Sequence, residues 1–313
     1  MAGSSSRPRL PAILLSQTAL MLLRDVFGEK DLFRDMPRIP TRTVLWGQGS
    51  VAVVLPHSAI VVSEETLLSG LRPRRTRDEV GATPQWRVYS SPPLPPESTE
   101  QRFGSRMAQA SLVELRSEEP GCWVESTEEG RLFLISSGAE AWLLSMGAPT
   151  VAQLEQSRLI AQQIERVGGH LGENRGEFPA YPRIASLLAG KCGADEPWLA
   201  CGTGRLGVRP DLRRRAAHAL REAILAAAVI RAIAAGANAD QALAHYESRL
   251  TAGFQRHLAQ CASFYGTGGR NRWWSGELEA LERGIGWCAK RMSKFPAFRH
   301  RLNGYELEAT PDS

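Results

Sequence analysis

The sequence predicts an α+β fold, and its segment order carries that prediction. Strand-like apolar runs separated by Gly-containing turns concentrate between residues 42 and 147. From residue 214 onward the apolar spacing is almost entirely helical. Strands and helices are therefore segregated, with no regular βαβ alternation.

The 313 residues, 43% of them hydrophobic, suffice for one large domain or two ordinary ones. The net charge is +5 and the pI about 9.1. Nearly all the basic residues are Arg; Lys occurs only at 30, 191, 290 and 294. This bias fits a GC-rich genome. The runs Arg72, Arg74, Arg75, Arg77 and Arg213 to Arg215 read as solvated loops or helix ends, so nucleic acid is not the expected partner. Cys122, Cys192, Cys201, Cys261 and Cys288 are scattered, with no CxxC pair, which fits a reducing cytoplasm and no disulfide framework. The most apolar helix, 216–235, holds His218, Arg221, Glu222 and Arg231, so no membrane span is expected.

Taken in order, Leu15, Leu22, Leu23 and Val26 recur at helical spacing over 14–26, with Gly28 as a stop. "TRTVLWGQGSVAVVLPHSAIVV" reads as strand, Gly turn, strand, with "AIVV" as a candidate further strand. "SEETLLSGL" is a short helix with Ser63 as N-cap and Gly70 as stop. Residues 72–105, rich in Pro, Arg and Ser, read as a loop or linker. "MAQASLVELRS", "GCWVESTEEGRLFLISSG" and "EAWLLSMG" supply three or four strands, with "TEEG" as a hairpin turn. Helices are expected over 150–168, opened by Thr150, and over 183–190. "WLACG" reads as one more strand, followed by helices over 214–235, 239–265 and 276–291.

Several chemistries lack their residues. There is no GxxxxGK[ST] loop, GxSxG elbow, HExxH or paired-carboxylate motif. His57, His170, His218, His245, His257 and His300 show no metal-ligand spacing. Trp273 and Trp274 follow the Gly-rich "YGTGGRNR", where they can stack on a planar ligand or close a lid over the core. Trp123 can line a pocket or fill a sheet core. The most informative stretch is "PWLACGTGRLGVRPDLRRRAAHALREA", residues 197–223. It has the strand, Gly loop and helix start of a nucleotide-binding turn. Its loop nevertheless carries Arg205, Arg209, Arg213, Arg214 and Arg215, with Asp211 as its one carboxylate.

The order of segments over roughly 9–275 resembles the FAD-dependent monooxygenase and tryptophan-halogenase-like oxidoreductases. It also resembles the flavoprotein partners that modify precursors of quinone-cofactor enzymes. "LPAILLSQTALMLLRDVFG" resembles the segment after the second strand of the flavin domain, and "RTVLWGQGSVAVVLPHSAIVVSEETLLSGL" the family's "WG" strand and the helix that follows. "EPGCWVESTEEGRLFLISSGAEAWLLSMG" is similar to the substrate-domain sheet. "PWLACGTGRLGVRPDLRRRAAHALREAILAAAVIRAI" sits where the family has a Gly-Asp strand end, an Asp-Pro loop and a Gly-containing helix start. The resemblance implies an antiparallel substrate-type sheet over 42–182, with a Pro/Arg-rich loop at 72–105. It further implies a truncated FAD-type α/β domain from 1–41 and 183–313, the latter including the C-terminal helices.

The resemblance also implies where cofactor contacts belong and where this chain departs. No residues ahead of Leu10 can form the GxGxxG unit that holds a flavin pyrophosphate. Gly202 and Pro210 are kept, but the family Asp positions are Thr203 and Arg209, and the helix-start glycine falls at Arg214 or Arg215. Losing the ribityl Asp alone removes about 1.5–3 kcal/mol. The halogenase Trp-x-Trp-x-Ile-Pro segment reads Trp123-Val124-Glu125-Ser126-Thr127. The candidate cofactor loop is thus Gly202, Thr203, Gly204, Arg209, Pro210, Arg213 and Arg214, and the candidate pocket residues are Trp46, His57, Trp123, Trp273 and Trp274.

Three functions stay open at this point. The chain is a degenerate relative that binds FAD weakly or not at all and acts as a binding or maturation partner. Or it is an active FAD-dependent oxidoreductase whose site is rebuilt, or completed by a protein partner or a homodimer. Or it binds anions or nucleic acid through the arginines of 205–215. The absent first strand is expected to leave a sheet edge that a partner covers. Any substrate is a small molecule or a peptide.

Overall fold

The computed structural model describes residues 12–71, 86–90, 93–95, 98–136, 141–170, 177–186, 197–202, 206–207, 215–295 and 300–309. In chain order the elements are β1 (Ile13–Ser16), α1 (Gln17–Phe27), β2 (Arg38–Leu45), β3 (Val53–Val62), α2 (Glu64–Gly70), β4 (Arg87–Tyr89) and β5 (Thr99–Arg102). Then come β6 (Met107–Leu115), β7 (Gly121–Thr127), β8 (Gly130–Ser136), β9 (Ala141–Gly147), α3 (Thr150–Gln156), β10 (Ile164–His170), β11 (Glu177–Pro179), β12 (Arg183–Ser186), β13 (Trp198–Ala200) and β14 (Leu206–Gly207). Three long helices, α4 (Arg215–Ala234), α5 (Ala239–Gly268) and α6 (Arg272–Met292), precede the hairpin β15 (His300–Asn303) and β16 (Glu306–Ala309).

A large sheet runs β1-β3-β2-β7-β8-β9-β6-β10, with β11 also on β6. Every pairing in it is antiparallel except β2 with β7. This mixed architecture, mostly antiparallel sheet plus helices, is the α+β class that the segment order predicts. The one other parallel ladder joins β13 to β4, among the described residues.

Local chemistry accounts for the element ends. Ser16 and Ser63 cap α1 and α2, accepting from Ala19 N and Thr66 N. Gly28 stops α1 in the left-handed region at φ 66°, its N–H reaching Arg24 O and Asp25 O. The "TEEG" turn joins β7 to β8 as expected, and β3 is one strand that includes "AIVV".

Several expectations need correction. Helix α1 begins at Gln17, because Ile13 to Ser16 pair with β3. The stretch 72–105 contains β4 and β5; residues 72–85, 91–92 and 96–97 lie outside the described residues. Residues 183–186 form β12, paired with β5 and β14, and not a helix. The hairpin of β15 and β16 has no counterpart among the expected elements. It docks on α4, where Arg231 donates to Tyr305 O, and Tyr305 Oη donates to Asp25 of α1 at 2.6 Å.

The helix expected over 150–168 stops at Gln156, and residues 164–170 pair with β6 as β10. Its stop has a specific cause. The buried carboxylate of Glu125, on β7, accepts Arg158 N at 2.6 Å, Leu159 N at 3.2 Å, Ile160 N at 2.9 Å and the Ser157 hydroxyl. Those amides serve the carboxylate instead of a continuing helix ladder. Glu125→Leu orphans them, at about 1–3 kcal/mol per buried donor. We expect denaturant unfolding to show a loss of about 3 kcal/mol or more, against under about 0.5 kcal/mol for the exposed Glu128→Leu.

Candidate functional site

The site that the sequence singles out is the end of β13. Leu199 and Ala200 are buried against Leu225, Ala226 and Val229 of α4 and Ala242, Tyr246 and Leu250 of α5. On one side the strand pairs with β4: Arg87 N donates to Pro197 O and Cys201 N to Tyr89 O, both at 2.9 Å. Alternation along extended chain turns the Ala200 carbonyl to the opposite side. There the buried Tyr246 hydroxyl donates to it at 2.8 Å. The next outward group is the Gly202 N–H, which donates to Glu222 Oε2 at 2.7 Å. Helices α5 and α4 thus each send one polar side chain to the outer edge of β13. Among the described residues no strand pairs with that edge.

Gly202 has φ 56°, where a side chain is strained. Glu222 is buried at 6% exposure. Burial, and secondarily the Glu222 charge, push the Cys201 thiol up to about 11, so it stays protonated and is no nucleophile at neutral pH. Neither Glu222 nor Tyr246 is among the site residues expected from sequence. The one available signal is a carboxylate on the apolar Ala-rich helix. Thr203, Gly204, Arg205, Arg209, Pro210, Arg213 and Arg214 lie outside the described residues, and Arg215 opens α4.

Three pocket candidates converge elsewhere, where the end of the large sheet meets α5 and α6. Trp46 packs edge-on to Trp274 at 5.7 Å, and Trp273 to Trp274 at 4.8 Å. Trp274 is fully buried and donates from Nε1 to Thr127 O at 3.0 Å. Its ring lies so close to Gly268 and Gly269 that a Cβ would approach to 2.4 and 2.2 Å. Trp274 is therefore core, with Tyr265 5.1 Å away. Beside it the buried Arg106 and Glu277 pair at 3.1 Å, and the Arg106 guanidinium lies 4.8 Å from the Tyr265 ring centre. Glu277 also accepts Ser105 N at 3.1 Å, clamping the β5–β6 connection to α6. Trp123 is not in this group: it folds over Gly121 and packs with the Leu132, Leu134 and Leu143 cluster. His57 is buried within β3. No group of three metal-ligating side chains occurs among the described residues, and no helix there is long and apolar enough to cross a membrane.

No family model matches the sequence, and neither does any curated protein. Solved structures do match. The peptidyl tryptophan dihydroxylase QhpG, essential for tryptophylquinone cofactor biogenesis, aligns over 96% of this chain and 77% of its own, at 17% identity and TM-score 0.66. The chain has the flavin-dependent monooxygenase and halogenase fold. The myxobacterial chondrochloren halogenase CndH, an FAD-dependent halogenase, aligns over 90% of this chain and 81% of its own, at 13% identity and TM-score 0.63. A single-residue variant of Klebsiella pneumoniae HpxO complexed with FAD aligns over 93% of this chain and 91% of its own, at 13% identity and TM-score 0.51.

The residue before Tyr246 on α5, His245, has a shifted titration. Burial, then repulsion from His300 and Arg249, pushes His245 down from 6.5 to about 4. The unfolded chain takes up this proton near pH 6.5 and the folded chain only near 4. The stability contribution is complete above about pH 6.5 and is lost as pH falls toward 4. Thermal melts of wild type and His245→Phe from pH 7 to 4.5 should show the wild type losing stability more steeply; parallel losses would contradict this.

Proposed function

We propose that this chain is a flavin-independent relative of the FAD-dependent monooxygenases and halogenases, and that it works by binding another protein as a maturation or binding partner. The observation that carries this reading is the Glu222 carboxylate on the Gly202 amide. The resemblance places a flavin contact at this strand end. There the family pattern has an Asp that accepts a hydrogen bond from a ribityl hydroxyl, and this chain has Thr203 in its place. Here the strand-end amide is already engaged, and a buried carboxylate stands beside it. The Gly202 amide is spent on Glu222 and is not offered to a cofactor.

The sequence departures point the same way. Thr203 and Arg209 stand where the family has Asp. The likeness to QhpG extends over nearly the whole chain, and that protein acts on a peptidyl tryptophan. A polypeptide ligand is in keeping with that likeness.

The test is a visible spectrum of the purified protein, before and after FAD addition and gel filtration. We expect no retained absorbance near about 450 nm, the flavin band. Flavin retained at near-unit stoichiometry would overturn the reading.

A further inference from the structure

The β15–β16 hairpin, residues 300–309, is tied to three helices by a small set of contacts. Tyr305, at its turn, donates from Oη to Asp25 of α1 at 2.6 Å. Arg231 of α4 donates to the Tyr305 carbonyl. Leu307 of β16 packs on the apolar cluster of β13, α4 and α5. The His300 ring of β15 stands edge-on to His245 of α5, with centroids 5.9 Å apart. Both hydrogen bonds to Tyr305 lie at the surface, where exchange with water leaves each a small net stabilisation. Leu302 and Tyr305 are each 39% exposed. Two paired strands of four residues are marginal without a surface to rest on.

The sensitive point of this docking is His245. It is buried, and a proton added to it meets the like charges of His300 and Arg249. The other charged groups of the packed elements are engaged elsewhere or face water. Within the hairpin Arg301 pairs with Glu308 at 3.2 Å, and Glu306 is exposed. On α4, Glu222 takes the Gly202 N–H, Arg231 serves Tyr305 and Arg221 is exposed. On α5, Glu247 pairs with Arg291 at 3.3 Å, and Asp240 is exposed. Burial and then this repulsion push His245 from 6.5 down to about 4 while the hairpin is docked. Release takes His300 away and admits water, so the released form binds the proton more readily. Docking is therefore complete above about pH 6.5 and weakens as pH falls toward 4.

We propose that the β15–β16 hairpin is an acid-released strap over α1, α4 and α5, with the His245–His300 contact as its trigger. Closed, it braces the two helices that carry Glu222 and Tyr246 to β13. Released, it uncovers the apolar surface beneath Leu307. One proton taken up on release shifts the docking equilibrium by up to about tenfold per pH unit across that window. The strap goes beyond the flavin-independent reading and does not rest on it.

The experiment is amide hydrogen exchange of the full chain, read by mass spectrometry from about pH 7 to about 4.5 and corrected for the intrinsic pH dependence of exchange. We expect protection of residues 300–309 to fall at least about tenfold over that range. Helix α6 around the buried Leu281 should keep its protection. His245→Phe should flatten the fall, because its ring fills the place and takes up no proton. His300→Gln, a change on the hairpin itself, should make the fall shallower. Tyr305→Phe should lower hairpin protection equally at every pH and leave the slope unchanged.

Hairpin protection that ignores pH would overturn the proposal. So would an undiminished fall in both His245→Phe and His300→Gln, or a slope that vanishes in Tyr305→Phe, since either moves the trigger to another group. Equal loss in the hairpin and in α6 would mean global acid unfolding and would overturn it too. Retained flavin would refute the flavin-independent reading but leave this result standing.

Discussion

The organising constraint is the hydrogen-bond demand of one strand edge. A strand cannot leave its outward carbonyl and amide unmet in a buried place without a cost of about 1–3 kcal/mol for each group. β13 is buried, and among the described residues it has a neighbour strand on one side only. Tyr246 and Glu222 answer the other side with a hydroxyl and a carboxylate. The packing of α4 and α5 follows from this, because those two side chains fix where each helix lies along the strand. At these two groups the chain meets the outer edge of β13 with its own side chains.

The second half of the molecule solves a related problem differently. There the large sheet ends against α5 and α6, and aromatic rings fill the seam. Trp274 joins the Thr127 turn to α6, Trp46 joins β2 to α5, and Arg106 with Glu277 ties the β5–β6 connection to α6. Removing one member of a buried pair such as Arg106 and Glu277 is costly because the other is left charged and unpaired. The seam is consequently a structural core, and only its outer rim, at Phe264 and the hairpin tip, faces water.

Legibility from sequence depends on range. The β7–β8–β9 meander and the three long helices are readable, because alternating or continuous apolar runs and period-3.6 patterns extend for seven residues or more and "TEEG" is a local turn signal. The stop of α3 is not, because it is set by Glu125, more than thirty residues before the amides it binds. Strands of three or four residues such as β4, β5 and β12 are too short for a pattern and exist through their pairing. At the candidate site Gly202 is legible as a strand end. Glu222 is not, because a lone Glu in an Ala-rich helix has no motif; its role appears only when the helix is laid against β13.

The most direct test of this account is amide hydrogen exchange at Gly202. If Glu222 holds that N–H, it should be protected in the wild type and exchange at least about tenfold faster in Glu222→Ala, while amides inside α5 change little. An unprotected Gly202 amide in the wild type, or one whose exchange ignores Glu222→Ala, would contradict the closed strand edge on which the proposed function rests.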